Sequence, residues 1–271
     1  MPHLWLRVAV ILYALGLVYA LFALTGRRAM LARIILPALG LATVLHFVAL
    51  AEIFAVTGDP APVTIYQFES VLAFVLMVSF FGVYWRYKTT SPGMIVFPLV
   101  FLLGLSATLG ETPMQFTSPL LRSGWIIVHI TLILGGYAAL LFSFASSILY
   151  LAQEQSIKSK KLDGILSRLP ALEVMDDLGV RSLQLGFPFM TLGLIAGCVI
   201  AQVSYGPTYF LDPKILLTIL MWAVYMLLLF TRWSAGWRGR RAAILAAVAF
   251  VSATLAWSAS YFSSVHRYMA P

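Results

Sequence analysis

Eight stretches of this chain are almost unbroken runs of apolar residues, at about 4–24, 34–56, 69–86, 93–110, 124–152, 185–204, 215–231 and 241–262. Between them lie short segments carrying charge, proline or glycine. A helix gains 1.5 Å per residue, so about 20 apolar residues cross the roughly 30 Å of membrane hydrocarbon. The pattern predicts an all-α, polytopic integral membrane protein of about eight transmembrane helices. The fifth run is long enough to tilt or to extend beyond the bilayer.

The polar segments orient this bundle. Cytoplasmic loops carry the excess of Lys and Arg. Alternate connections are basic here: Arg27, Arg28 and Arg33; Arg86 and Lys88; Lys158, Lys160, Lys161, Arg168 and Arg181; Arg232, Arg238, Arg240 and Arg241. Arg7, Arg122, Lys214 and Arg267 fall on or near the opposite side. Both termini are therefore expected outside, which requires an even number of helices. One stretch, 153–183, looks soluble and is expected to be a cytoplasmic connector broken at Pro170. Within it, 157–169 could lie on the membrane surface as an amphipathic helix, with Ile157, Leu162, Ile165, Leu166 and Leu169 roughly on one face. The whole of 1–271 reads as a single transmembrane domain.

Composition agrees with that class. The chain is 61% hydrophobic and 10% charged, against about 25% charged residues in soluble domains. Its net charge of +8 follows from basic loops beside anionic headgroups, so the lipid bilayer is the expected partner and nucleic acid is not. No positively charged leader precedes the first run, which is expected to stay as an anchor rather than be cleaved. Cys198 is the single cysteine. No CxxC is present for dithiol exchange or metal binding, and GxSxG, HExxH and GxxxxGK[ST] are absent as well.

The chemistry-bearing residues gather on one side. His129 lies about one turn into the inward-running fifth helix, and His266 follows the outward-running eighth. The polar loop 205–214 shares their outer layer. Neutral imidazole is a strong axial ligand for haem iron, and two trans imidazoles leave no open position for oxygen chemistry. A haem held there could contact Trp125, Tyr205, Tyr209 and Phe210, with Arg122 and Arg267 at its propionates. Alternatively, each histidine is an interfacial residue bonded to a loop carbonyl. His46 sits about 18 Å along the second helix, somewhat past the midplane. It could be a further haem ligand, a partner for Glu52 or Glu69, or a core hydrogen-bonder. Gly135-Gly136 and the pair Gly193 and Gly197 read as close helix contacts.

Several motifs form a colinear set: Trp125-Ile-Ile-Val-His129, Tyr137-Ala-Ala-Leu-Leu, Gly186-Phe-Pro-Phe-Met-Thr-Leu-Gly193, Trp222 with Tyr225, Thr231-Arg232, and Gly236-Trp-Arg-Gly-Arg-Arg241. With Ala61-Pro-Val-Thr-Ile-Tyr66 and Glu69-Ser70 before it, this set resembles the cytochrome c assembly family of haem-handling membrane proteins. That family is the CcsA/ResC, CcmC and CcmF group with its WWD signature, and the likeness is nearest to the HemX/YpjD-like branch. The resemblance implies an eight-helix fold, haem b as cofactor, and His129 and His266 as the outer ligands. It also implies that His46 matches a second-helix histidine of HemX/YpjD-type relatives.

The departures refine that expectation. The family signature WGxYWxWDPKE stands here as Tyr205-Gly206-Pro-Thr-Tyr209-Phe-Leu211-Asp212-Pro213-Lys214-Ile215. Gly206 and Asp212-Pro213-Lys214 are kept, while the three tryptophans become Tyr205, Tyr209 and Leu211. Phe230 stands where CcsA-type members carry an intramembrane histidine. The expected function is haem binding or handling in cytochrome c-type biogenesis or haem homeostasis, at a bacterial inner membrane, as an accessory rather than a complete synthase. Further partners implied are another membrane assembly protein or apocytochrome c. The competing expectation is a HemX-like regulatory or scaffold protein of tetrapyrrole synthesis that has lost haem transfer.

Overall fold

A computed structural model describes residues 4–23, 28–58, 61–62, 64–110, 124–159 and 169–263. His3, Arg122, His266, Arg267 and the central part of the expected amphipathic helix (160–168) lie outside the described residues.

Eight α-helices occur among the described residues: α1 (Leu4–Ala23), α2 (Arg28–Thr57), α3 (Ile65–Tyr87), α4 (Gly93–Leu109), α5 (Gly124–Lys158), α6 (Leu172–Tyr205), α7 (Pro213–Trp233) and α8 (Arg240–Ser258). No strand occurs among them. Seven are long and apolar enough to cross a membrane, while α4 is apolar but only 17 residues long, about 25 Å. This is a multi-pass membrane protein. Pro37, Pro98 and Pro188 lie inside helices, as membrane helices tolerate where neighbouring groups satisfy the freed carbonyls.

The described parts of the expected soluble connector are mostly helix. α5 runs on to Lys158 and α6 already starts at Leu172, so among the described residues its charges, Glu154, Lys158, Glu173, Asp176, Asp177 and Arg181, ride on helical turns. Glu154 pairs with Lys158 and Asp177 with Arg181, each at 2.8 Å and four residues apart. Such spacing brings opposite charges together on one face without a loop. α3 likewise starts earlier than its apolar run, at Ile65, because the Thr64 side chain accepts the Gln67 N–H at 3.2 Å and caps the first turn.

The chain divides into two compact units, Met1–Gln115 with Leu151–Val174, and Phe116–Tyr150 with Met175–Pro271. In the first, α1 packs on α2 and α4, and α3 on α4. Its interior contains the cluster Leu6, Val10, Ala49 and Ala107 and a buried polar chain from Tyr13 through His46 to Ser70. In the second, Leu140, Leu183, Met190, Met221, Tyr225 and Leu228 form the centre, and Ala246, Ala249, Ala253 and Ala256 of α8 close on it. The alternating spacing of four and three residues keeps these alanines on one seam. Small side chains let backbones approach, which matters in lipid, where apolar burial between helices contributes little.

α5 and α6 pack antiparallel along a second seam. Passing from Gly179 through Gly186 and Gly193 to Gly197 on α6, the facing residues on α5 run from Ser146 through Ala139 and Ile133 to His129. Three of these glycines, Gly179, Gly186 and Gly193, recur every seven residues. Hydrogen bonds lock the seam to α7: the Tyr225 hydroxyl donates to the Leu183 carbonyl at 3.1 Å, and Trp222 Nε1 to Thr191 Oγ1 at 3.0 Å. At the far end of α7, Arg232 Nη1 meets Asp176 at 2.9 Å, with only 8% of the Arg side chain exposed.

Candidate functional site

The start of α5, the end of α6, the start of α7 and the segment after α8 meet at one end of the second unit. His129 is the most constrained residue there. Its Nδ1 lies 2.7 Å from the Gly193 carbonyl. A carbonyl can only accept, so Nδ1 carries the proton and Nε2 the lone pair. The approach is possible because α6 has no side chain at Gly197. A Cβ built there would fall 2.5 Å from Cε1 and 2.9 Å from Nδ1 of His129. Among the described residues Nε2 has no hydrogen-bond partner. The ring therefore rests in a glycine cradle with its orientation and tautomer fixed, and Lys214 lies within Coulomb range of it. The partner is a helix carbonyl rather than the loop carbonyl considered from the sequence.

Metal-bound histidines usually hold their second nitrogen on a carbonyl or carboxylate in this way. On donor chemistry, then, His129 fits an axial ligand to haem. His46 presents the opposite case. It is fully buried, with Nδ1 3.2 Å from the Tyr13 hydroxyl and Nε2 2.9 Å from Ser70 Oγ. Phe74 packs edge-on against the ring. Both nitrogens are engaged, so ligating iron would cost one of these bonds. Its partners are Tyr13 and Ser70, not Glu52 or Glu69; each of those carboxylates has one buried oxygen without a hydrogen bond among the described residues.

The loop is a 3-10 segment, Gly206–Leu211, between α6 and α7. Gly206 opens it at φ 66°, a left-handed conformation that favours glycine. Its aromatics divide. Tyr205 and Phe210 are each 48% exposed and Trp125, one turn before His129, is 69% exposed, so these three present open faces. Tyr209 turns inward instead, among Ala201, Ile215 and Cys198, and its hydroxyl reaches the Cys198 thiol. Phe210 lies over it, with ring centroids 4.1 Å apart. Asp212 is also buried. It caps α7 by accepting the Lys214 N–H at 3.0 Å, and both its oxygens accept from the Ser263 hydroxyl, at 2.9 and 3.0 Å.

Sequence reasoning missed the Gly193 carbonyl and Ser263. The spacing of Gly193 and Gly197, one helical turn apart, held a signal for the first; a single serine held none for the second.

The model of the cytochrome c assembly protein family matches residues 5–266. The chain belongs to this family. Among its members, the cytochrome c biogenesis protein CcsA of Chlamydomonas reinhardtii is 36% identical over 165 residues, covering 59% of this chain and 45% of that protein. CcsA of Guillardia theta is 30% identical over 205 residues, 68% of each chain. Protein HemX of Brevibacillus brevis is 33% identical over 132 residues, 49% of this chain and 48% of that one. The match thus spans less than half of the Chlamydomonas protein. Relatives named CcsA and HemX both belong with this cytochrome c assembly chain, in agreement with the resemblance read from its motifs.

Proposed function

We propose that this chain is a haem-handling membrane protein of cytochrome c biogenesis. His129 would hold haem b iron on one side and His266 on the other. The observation that carries the proposal is the fixed His129 imidazole, with Nδ1 bonded to Gly193 and Nε2 left as the lone-pair nitrogen. Trp125, Tyr205 and Phe210 offer apolar contact for the macrocycle, and Arg122 and Arg267, near the two histidines in sequence, would meet the propionates. Bound haem would supply the iron to be delivered, and two imidazoles holding it would favour keeping the group for transfer over using it on oxygen. On the positive-inside pattern the site faces outward and both termini lie outside. The proposed location is a bacterial inner membrane, and the partner receiving haem an apocytochrome or a second assembly protein. Detergent-purified protein should show a bis-histidine visible spectrum, lost in His129→Ala and in His266→Ala. Haem-free protein after haem supplementation would sink the proposal.

A second reading is a regulatory or scaffold protein that keeps the fold without haem transfer. It is favoured by the loop, where one aromatic is turned into the core and the three signature tryptophans are replaced. Under it, deletion within 160–168 abolishes function while both histidines prove dispensable.

A further inference from the structure

We propose that the turn between α7 and α8 binds an anionic phospholipid, whose headgroup phosphate is held by Arg238, Arg240 and Arg241. The proposal is independent of haem and concerns the end of the second unit opposite His129. There α7 ends at Trp233 and α8 starts at Arg240. The turn folds back on α7, because the Thr231 carbonyl accepts the N–H groups of Ala235 at 3.2 Å and Trp237 at 3.1 Å. Gly236 and Gly239 shape it with φ of 61° and 62°, which favour glycine. α5 closes on it, since a Cβ at Gly239 would fall 2.7 Å from the Tyr150 hydroxyl.

This turn gathers positive charge that no carboxylate meets. Arg238, Arg240 and Arg241 are exposed, and among the described residues none of them makes an ion pair. The nearby acids on α6 are already engaged, Asp176 by Arg232 and Asp177 by Arg181. A helix dipole favours anions at the helix start and disfavours cations there. α8 nevertheless begins with two arginines, has no acid in its first turn and has no side-chain cap. An anion bound at this turn would offset that cost. Arg232, at the base of the turn, calls for an acceptor too. Its side chain is 8% exposed and bonds Asp176 through Nη1, while its Nε is shielded from water without an acceptor among the described residues. Such an orphaned donor on a permanent charge is costly. A general inward bias of basic residues accounts for the number of arginines, not for their place at a helix start. Trp233, 69% exposed, marks the level: indoles settle at the headgroup layer, where lipid phosphates lie. The occupant is therefore a lipid rather than a soluble anion.

The test titrates the full chain in detergent with phosphatidylglycerol or phosphatidylcholine, reading the unfolding midpoint and, by native mass spectrometry, the lipid retained. Phosphatidylglycerol should raise the midpoint and stay bound, and phosphatidylcholine should do neither. Each arginine beside an anionic headgroup is worth roughly fivefold in affinity. Arg240→Gln with Arg241→Gln should therefore weaken phosphatidylglycerol binding roughly 30-fold, while Arg240→Lys with Arg241→Lys should keep most of it. Arg86→Gln with Lys88→Gln removes two cations from the α3–α4 turn instead and should leave binding unchanged. Equal retention of the two lipids overturns the proposal, as does undiminished phosphatidylglycerol binding in the Arg240 and Arg241 glutamine variant. An equal loss in the Arg86 and Lys88 variant overturns it as well, because the attraction would then belong to the whole basic surface. Inorganic phosphate that stabilises as well as phosphatidylglycerol does would overturn the lipid assignment.

Discussion

Gly197→Ala would put a methyl group where the His129 ring lies, 2.5 Å from Cε1 and 2.9 Å from Nδ1. Contacts this short force something to move. The α6 backbone is held by its own helix and by the seam at Gly193 and Gly186, so the ring is the part that must yield. Moving it breaks the 2.7 Å bond to the Gly193 carbonyl. Overpacking of this kind costs about 1–3 kcal/mol, and the lost hydrogen bond about 1 kcal/mol more. Against this, alanine in place of glycine stabilises a helix by up to about 1 kcal/mol. The net expectation is destabilisation by about 1–3 kcal/mol, with an Nε2 that no longer holds its direction. The assay is a double-mutant cycle on stability in detergent. In His129→Ala the space above residue 197 is open, so adding Gly197→Ala should then be neutral or mildly stabilising. The coupling between the two should reach about 1–3 kcal/mol. If Gly197→Ala costs the same with and without the imidazole, the cradle argument is wrong.

His46→Ala should destabilise by about 2–4 kcal/mol, since it opens a cavity and takes a hydrogen-bond partner from each of Tyr13 and Ser70; denaturation will measure this, and under the haem proposal the visible spectrum should not change. Asp176→Ala leaves the buried Arg232 guanidinium unpaired and should cost about 3 kcal/mol, whereas Glu154→Ala, at a pair whose Lys158 is 65% exposed, should cost under about 0.5 kcal/mol. For sidedness, Cys198 is the only cysteine, so single cysteines can be placed in a Cys198→Ala protein. Trp125→Cys and Phe210→Cys should react with an impermeant maleimide from outside, and Trp233→Cys only after the membrane is opened; the reverse pattern refutes the outward site.

Much of the fold could be read from the sequence because a bilayer leaves the backbone few choices. Apolar runs of sufficient length must be helices whose hydrogen bonds stay internal, and seven of the eight predicted runs became helices of spanning length. Boundaries failed where local bonds decided them. α3 starts at its Thr64 cap, and among the described charges of 153–183 two pairs four residues apart, Glu154–Lys158 and Asp177–Arg181, sit within helix ends. His129 was visible as a candidate, but its orientation was not, since that depends on a carbonyl 64 positions away. His46 shows the same limit. Its depth in α2 could be counted, while its two hydroxyl partners come from α1 and α3 and are matters of packing.

The loop separates what the backbone requires from what a ligand would require. Its retained residues carry the chain: Gly206 supplies a positive φ, Asp212 caps α7 and takes the Ser263 hydroxyl, and Pro213 begins the helix where its missing N–H costs nothing. The replaced positions are of two kinds. Tyr205 and Leu211 are exposed, the latter by 79%, so the fold asks little of them and their identity is free to follow whatever is bound. Tyr209 is buried against Cys198, and there the phenol serves the core. A loop kept only as scaffolding would tolerate alanine at 205 and 210 but not at 209. One that still contacts a porphyrin would lose haem affinity at 205 and 210, with the fold intact. Comparing Tyr205→Ala and Phe210→Ala with Tyr209→Ala, by stability and by haem titration, therefore discriminates the two readings of this chain at the place where its sequence departs furthest from the family signature.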